Sequence, residues 1–189
     1  MYEVLKKYLK NKIDIGDMDF EVIKSKFKPK NLRKKQYLMQ EGDICKYYCF
    51  VSKGILRLFS IDAKGNESIL QFAPEEWWIS DRESIVTQIP SRYNIEALED
   101  SELLLITPES YRELSVTIPA FYEMQENLHQ RNIVAQQRRI HAAISYTAEE
   151  KYLEFIEAYP DIFQRVPQHM IASYLGMSPE TLSRIRSKL

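Results

Sequence analysis

The sequence of 189 residues has few of the side chains that build metal and redox centres: two cysteines and three histidines. Two cysteines are too few for a disulfide framework, and they favour a reducing compartment. They also fall short of the four thiolates that hold an iron–sulfur cluster. Cys45 and Cys49 lie in a strand-like stretch, at a spacing that puts both on one face. We therefore predict two buried structural thiols.

Histidine is absent from the chain up to His129. A cupin-like enzyme, the remote alternative for a β-rich chain, would need a His-x-His pair on its strands. His129, His141 and His169 are scattered over a helical region without a grouping of cysteines or carboxylates, which gives no support to a zinc or haem site. We expect a protein that is not an enzyme and has no catalytic residue, metal or cofactor.

Long apolar runs are missing as well. Residues 102–107, ELLLIT, are typical of the longest runs, and none could span a bilayer. The first residues, MYEVLKKYLKNKIDIGD, lack the apolar stretch and cleavage site of a signal peptide. The net charge of −1 indicates no polyionic partner by itself. We expect a cytoplasmic protein that does not bind a membrane.

Between about Leu32 and Leu114 the pattern is that of a β-protein. Turns separate short runs rich in β-branched and aromatic residues: YYCFVSKG, ILRLFSID, SILQFA, YNIEALE and ELLLIT. Strands at about ten-residue spacing predict a β-sandwich or barrel. Before it, residues 1–27 have the pattern of a short helical segment. Its apolar face consists of Val4, Leu5, Tyr8 and Leu9.

From Pro119 to about Ser145 the pattern changes to that of one long helix. Its apolar stripe consists of Phe121, Met124 and Leu128 and continues, after a phase shift, with Ile133, Gln137, Ile140 and Ile144. A narrow seam on so long a helix predicts a coiled-coil contact with a second subunit, and hence a homodimer. Packing along its own β-domain is the alternative. A shorter helix follows, opened by the capping box of Thr147 and Glu150.

The stretch IASYLGMSPETLSR, residues 171–184, has the pattern of a helix-turn-helix. Gly176 suits the left-handed residue that ends the first helix. Ser178 can cap the second helix, and Pro179 fits its first position because no N–H is needed there. Leu182 and Ile185 then return to the core.

Polar residues remain on the outer face of the second helix: Ser178, Glu180, Thr181, Ser183 and Arg184, with Lys188 beyond them. Arginine can bond guanine O6 and N7, glutamate can accept from cytosine N4, and short hydroxyl side chains reach phosphates or base edges. Residues 162–189 carry four cations and one anion. We predict that these six residues bind double-stranded DNA, because a generic helical hairpin would not need them.

With these parts in this order, the sequence resembles the CRP/FNR family of bacterial transcription regulators. In the first half the resemblance rests on EGDICKYYCFVSKGILRLFSID and IEALEDSELLLITPE, and in the second on RVPQHMIASYLGMSPETLSRIRSKL. Glu180, Ser183 and Arg184 match the Glu-x-x-Ser-Arg pattern of the FNR-type recognition helix.

The resemblance implies an α+β fold with three parts. They are a cyclic-nucleotide-binding-like sensor domain at 1–115, a dimerisation helix at 116–146 and a helix-turn-helix DNA-binding domain at 147–189. The first part would be an antiparallel, jelly-roll-like β-roll, and the last would be of the winged-helix type. A homodimer of this kind would read a near-palindromic DNA site.

The effector chemistry of the family does not carry over. Members that bind cyclic AMP have a Gly-Glu pair, then nine intervening residues, then Arg-Ser; the glutamate holds the ribose hydroxyl and the arginine holds the cyclic phosphate. Here Ser80-Asp81 and Ser91-Arg92 align with these pairs, so a serine stands at the arginine position. On a strand, the one-residue shift would turn Arg92 to the opposite face.

We therefore expect a degenerate pocket that does not bind cyclic AMP, with an unidentified small effector left open. A true cyclic-nucleotide-responsive regulator is the alternative. Trp77 and Trp78, beside this pocket, could stack on a ligand, but filling the β-roll is the favoured interpretation. The run KSKFKPKNLRKK, residues 24–35, has seven cations and no anion. It could contact flanking DNA or RNA polymerase, although a solvated loop entering the β-roll is favoured.

Overall fold

A computed structural model describes residues 1–188 of the chain. The strands are β1 (Lys28–Leu32), β2 (Tyr37–Met39), β3 (Tyr48–Lys53), β4 (Leu56–Ile61), β5 (Glu67–Ala73), β6 (Trp78–Ile79), β7 (Asn94–Ala97) and β8 (Ser101–Ile106). The helices are α1 (Tyr2–Lys10), α2 (Asp17–Ser25), α3 (Arg82–Thr87), α4 (Pro108–Thr117), α5 (Pro119–Ser145), α6 (Ala148–Ala158), α7 (Pro160–Arg165), α8 (Gln168–Leu175) and α9 (Pro179–Arg186).

The strands form two four-stranded antiparallel sheets with the orders β1-β8-β3-β6 and β2-β7-β4-β5. Alternate residues of both sheets point inward and share one apolar cluster, in which Val51 and Leu103 of the first sheet meet Leu56 and Leu58 of the second. The predicted α+β fold with an antiparallel, jelly-roll-like β-roll is confirmed.

The outer face of the first sheet is covered by α1, α2, α4 and the start of α5. Trp78 lies in this layer, with its ring 5.3 Å from that of Phe50 and 5.9 Å from that of Tyr111. Its indole N–H donates to the Tyr8 hydroxyl at 3.2 Å. Trp77 packs edge-on against Tyr159 of the C-terminal helices, with the ring centroids 5.8 Å apart. Both tryptophans therefore have protein partners, but neither lies in the inner cluster of the β-roll: Trp78 packs in the outer layer, and Trp77 is 38% exposed.

Helix α5 has the predicted length, and its two halves lie in different surroundings. Phe121 and Met124 in the first half are buried against the β-roll. In the second half, Ile133, Ile140 and Ile144 expose 45%, 61% and 80% of their surface. The second half of the apolar seam is therefore uncovered within one chain, and the alternative that the whole helix packs along its own β-domain does not hold for it.

The local predictions for the helix-turn-helix are confirmed. Gly176 ends α8 in the left-handed region at φ +68°. The Ser178 hydroxyl accepts the Thr181 backbone N–H at 3.2 Å, and Pro179 is the first residue of α9. Thr147 and Glu150 form the predicted capping box of α6.

Every described element after β8, up to residue 188, is a helix, so the strands of a wing are not among the described elements. Leu189, the last residue of the predicted domain 147–189, lies outside the described residues. The domain boundaries at 115/116 and 146/147 stay predictions. Within residues 1–188, every helix is too short or too polar to cross a bilayer.

Sequence patterns missed several short elements. The middle of the basic run 24–35 is strand β1 rather than a loop, because Lys28 to Leu32 pair with Leu105 to Ser101 of β8. Strands β2 and β6 and helix α3 were not expected either, and they contain only two to six residues each. Contact of the basic run with flanking DNA or RNA polymerase stays a prediction.

Gly54, in the turn between β3 and β4, allows a close approach of the next hairpin. Its φ is +92°, and a Cβ atom there would lie 2.9 Å from the Ser101 Cβ and 3.0 Å from the Asp100 carbonyl oxygen. Gly65 has a similar φ of +84°, but its Cβ would meet nothing within 4 Å. An alanine would therefore strain the backbone at both positions, but it would collide with neighbouring atoms only at Gly54.

We expect Gly65→Ala to lower the free energy of unfolding by about 1 kcal/mol through backbone strain alone. Gly54→Ala should lower it by about 1–3 kcal/mol more, because the turn must also move away from Ser101. Urea unfolding of the full chain, followed by circular dichroism, measures both. Equal losses for the two variants would contradict a close approach at Gly54.

Candidate functional site

The helix α9 is held by its apolar side. Leu182 and Ile185 are 1% and 9% exposed and pack against Tyr152 of α6 and Ala172 of α8. Ala172 is fully buried, which fits a small residue where two helices cross closely. This packing leaves the opposite side of α9 open to solvent.

The structure brings only part of the predicted DNA-binding set onto that open side. Glu180, Ser183 and Arg184 are exposed at positions i, i+3 and i+4, so they share one face. Ser178 is exposed as well, but its hydroxyl caps the helix, and Thr181 is half-buried; DNA contact by these two residues stays a prediction. These two residues consequently have a structural part in forming the first turn.

Two further side chains extend this surface. Ser187 is exposed at i+7 from Glu180 and belongs to the same face, which the helical spacing in the sequence could have shown. Lys188, predicted to bind DNA, is exposed directly after the helix. We call Glu180, Ser183, Arg184 and Ser187 the reading face.

The charges of the reading face fit base-edge chemistry. The nearby Ser178 hydroxyl, and more weakly the Arg184 guanidinium, hold the pKa of Glu180 below its ordinary value, so this carboxylate can accept hydrogen bonds at neutral pH. Within residues 1–188, Arg184 and Lys188 form no ion pair. One acceptor and two cations are therefore free for a ligand.

Two of the predicted effector-pocket residues, Asp81 and Ser91, are buried and bonded to each other. Asp81 is 4% exposed and caps α3, accepting from the Ser84 backbone N–H at 3.3 Å. Its other oxygen accepts the Ser91 hydroxyl at 2.6 Å, and Ser91 is also buried. Both oxygens of the acid are thus engaged within the protein. Ser80, which precedes Asp81 in the chain, is half-buried.

Arg92 points away from this pair, as predicted, although the reason differs. Ser91 and Arg92 precede strand β7 rather than lie on it. The Arg92 side chain is 66% exposed and pairs with Glu83 at 2.9 Å on the surface of α3. Of the four predicted pocket residues, the structure therefore joins Asp81 and Ser91 directly and leaves Arg92 outside.

The thiols and histidines form no reactive centre within residues 1–188. Cys45 and Cys49 are buried in the inner cluster of the β-roll, and burial raises the pKa of both thiols. In the described part of the chain, no three His, Cys, Asp or Glu side chains are placed to hold a metal ion. His129 lies 2.8 Å from the guanidinium of Arg82, which joins α5 to α3.

Comparison with known proteins agrees with this architecture. Residues 29–117 match the family described as cyclic nucleotide-binding domain. FixK2 from Bradyrhizobium japonicum superimposes with a TM-score of 0.72 at 17% identity, over 86% of this chain and 84% of that one. The regulator CLP from Xanthomonas campestris gives 0.73 at 12%, over 92% and 91%.

A protein from Eubacterium rectale, named for the Crp/Fnr family of transcriptional regulators, gives a TM-score of 0.68 at 17% identity, over 93% of this chain and 83% of that one. The chain has the CRP/FNR fold. The fold that the resemblance in the sequence implied is thus confirmed. No curated protein matches the sequence significantly.

Proposed function

We propose that the chain is a sequence-specific transcription regulator that binds a near-palindromic DNA site as a homodimer. The observation that carries this proposal is the exposed reading face on the second helix of a helix-turn-helix, within a CRP/FNR fold. We also propose that the protein is not an enzyme and that it is cytoplasmic.

The first turns of α9 would enter the major groove. There Arg184 can bond the O6 and N7 atoms of a guanine, and Glu180 can accept from a cytosine N4 amine. Ser183 and Ser187 are short enough for a neighbouring base edge or phosphate. Lys188, beyond the helix, suits a phosphate contact, which adds affinity without sequence preference.

We expect Arg184→Ala to weaken binding by about 1–3 kcal/mol per half-site and to relax the preference for one guanine. Lys188→Ala should weaken binding to all sequences alike and lower the slope of log affinity against log salt by about 1. Selection from random duplexes, followed by fluorescence anisotropy at several salt concentrations, measures both effects.

Arg112→Ala is the matched control, because Arg112 is an exposed arginine of α4, far along the chain from α9. It should leave the selected sequence and the salt slope unchanged. If Arg184→Ala selects the same sequence as the wild type, the reading face is not the base-contacting surface.

The open seam on the second half of α5 supports a homodimer. Ile140 and Ile144 are 61% and 80% exposed, and Val134 beside the seam is 46% exposed. Isoleucines repeated along one face of a helix bury most apolar surface when they pack against the same seam of a second copy. Two α9 helices related by the dimer axis would then meet half-sites roughly 34–36 Å apart.

The wild type should sediment at micromolar concentration near twice 22.4 kDa. Ile140→Glu should shift it toward the monomer, because a carboxylate would be buried in an apolar seam. Asn127→Glu introduces the same charge at an exposed position of α5 outside the seam and should leave the dimer intact. A wild type that sediments as a monomer would remove the basis for reading a palindrome.

We propose further that the pocket does not bind cyclic AMP. Ser91 supplies no cation for a cyclic phosphate, and its hydroxyl is already bound to Asp81. Arg92 is held by Glu83 on the outside. CLP is described as responsive to c-di-GMP, which is a property of that protein, so a shared fold does not fix one effector.

Calorimetric titration with cyclic AMP should give no saturable heat at micromolar concentration. A thermal-shift screen of small metabolites, run beside it, tests for another effector. Saturable binding of cyclic AMP that Arg92→Ala abolishes would favour the alternative, a true cyclic-nucleotide-responsive regulator in which Arg92 turns inward. Arg33→Ala, another exposed arginine of the β-roll, serves as the control.

A further inference from the structure

Arg165 joins the helix-turn-helix to two turns of the β-roll. It is the last residue of α7, three positions before α8 begins. Its guanidinium donates to both oxygens of Glu75 at 2.7 and 3.0 Å and to both oxygens of Glu99 at 3.1 and 2.7 Å. A planar fork that engages two carboxylates fixes both the position and the orientation of the chain that carries it.

Both glutamates belong to connections between strands of the β-roll. Glu75 follows strand β5, and one of its oxygens also accepts the Gly54 backbone N–H at 2.7 Å. Glu99 lies in the turn between β7 and β8, where its carbonyl accepts the Ser101 hydroxyl at 2.7 Å. Burial alone would raise the pKa of Glu75, but the hydrogen bonds from Arg165 hold that pKa below its ordinary value. Arg165 therefore binds one carboxylate that the Gly54 N–H also holds and a second that extends from a hydrogen-bonded turn.

A second attachment lies at the other end of α8. The Ser173 hydroxyl donates to the Glu67 carbonyl at 2.7 Å and accepts the Ile69 N–H at 3.1 Å. From α5, Arg139 donates to the carbonyl oxygens of Ile69 at 3.2 Å and of Tyr174 at 3.4 Å. Its guanidinium also lies 4.2 Å from the Tyr174 ring centre. Arg139, a residue of the long helix, thus contacts both the β-roll and α8.

Between the two attachments, α8 rests on an apolar surface. Phe59 and Phe72 of the β-roll share a buried cluster with Phe155 and Ile171 of the C-terminal helices. Apolar packing stabilises the contact but permits small rotations, because it has no directional bonds. The directional contacts at the two ends of α8 come from Arg165, which precedes it, and from Ser173 and Arg139 near its last turn.

We propose that Arg165 and Arg139 are positioning residues that set the angle of α9 to the β-roll and to α5, and thereby the half-site spacing that a dimer accepts. This inference rests on the proposed function. Neither residue belongs to the reading face, so we expect neither to contact a base. The class of ligand whose selection they control is duplex DNA with two half-sites at a defined separation.

Loss of these contacts should leave the fold intact. The side chains of Arg165, Glu75 and Glu99 are 29%, 36% and 37% exposed, and partly exposed ion pairs contribute little to stability. Their effect on the orientation of α9 is large by comparison, since a dimer binds two half-sites together only when its geometry lets it reach both. Spacing preference and fold stability therefore report on different roles.

The test measures affinity for palindromes whose half-sites are moved one base pair closer together or farther apart. The wild type should prefer one spacing by roughly tenfold, and Arg165→Ala or Arg139→Ala should reduce this preference to roughly twofold. The bases selected within each half-site should not change. Arg165→Lys keeps the charge but not the fork, so it should resemble Arg165→Ala in spacing preference and the wild type in salt slope.

The controls are matched to each arginine. Arg138→Ala removes an exposed arginine next to Arg139, and Lys6→Ala breaks a surface pair with Asp17. Both should keep the tenfold preference. Unfolding midpoints of all variants, measured alongside, show whether a variant has lost its fold; for any that has, Arg165→Lys and Glu99→Gln replace it in the comparison.

A readout without DNA separates this inference from the proposed function. Spin labels at Lys64→Cys and Glu157→Cys, both exposed, report the distance between the β-roll and α6 by double electron–electron resonance. Labelled chain is diluted with unlabelled chain so that one subunit of a dimer carries both labels. The wild type should give one narrow distance, and Arg165→Lys a broader distribution.

The outcomes are distinct. A broadened distance distribution in Arg165→Lys, together with a wild type that does not bind DNA, would contradict the proposed function and support the positioning role of Arg165 in the fold. Normal DNA binding with an unchanged spacing preference and an unchanged distance distribution in Arg165→Lys and Arg139→Ala would overturn the positioning role and leave the proposed function standing.

Discussion

Strand β5 lies at the open edge of the second sheet, so the backbone groups on its outer side need partners other than a strand. Ser173 and Arg139 provide them, the first from α8 and the second from α5. The side chains of the same strand include Ile69 and Phe72, which are buried under the C-terminal helices. The contacts that cover this edge therefore also hold α8 against the β-roll.

The buried Arg57 links that edge strand to the other strands of its sheet. It is 5% exposed, donates to Glu96 at 2.7 Å and also pairs with Glu67, whose carbonyl receives the Ser173 hydroxyl. A buried charge needs full pairing to be tolerated, which ties β4, β5 and β7 into one unit.

The polar groups in the interior beside α3 also bond to one another. Asp81 accepts one hydrogen bond from the Ser84 backbone N–H and one from the Ser91 hydroxyl. A ligand there would have to replace bonds that already exist.

The helix-turn-helix could be predicted from the sequence because its determinants are local. Gly176, Ser178 and Pro179 act within a few residues of their own position, and so do Thr147 and Glu150 at the start of α6. The long helix was visible for the same reason, since its period repeats over many residues.

Elements that depend on distant partners were not visible. Strand β1 consists of lysines, proline, asparagine and leucine and is a strand because β8 offers it a ladder. Arg165 gave no signal in the sequence, since its acceptors lie 66 and 90 residues away. Arg92 shows a mixed case: its outward direction was predicted, but on the assumption of a strand that begins only at Asn94.

Two adjacent residues of α5 show how a dimer contact and the angle of the reading face can be linked. Arg139 contacts β5 and α8, whereas Ile140, one position on and about 100° around the helix, belongs to the open seam. A second copy seated on Ile140 would fix the rotation of α5 about its axis. In the proposed dimer the same rotation would place the Arg139 guanidinium, so pairing of two chains and alignment of α8 would depend on the same rotation of α5. A change in either contact would then alter the other.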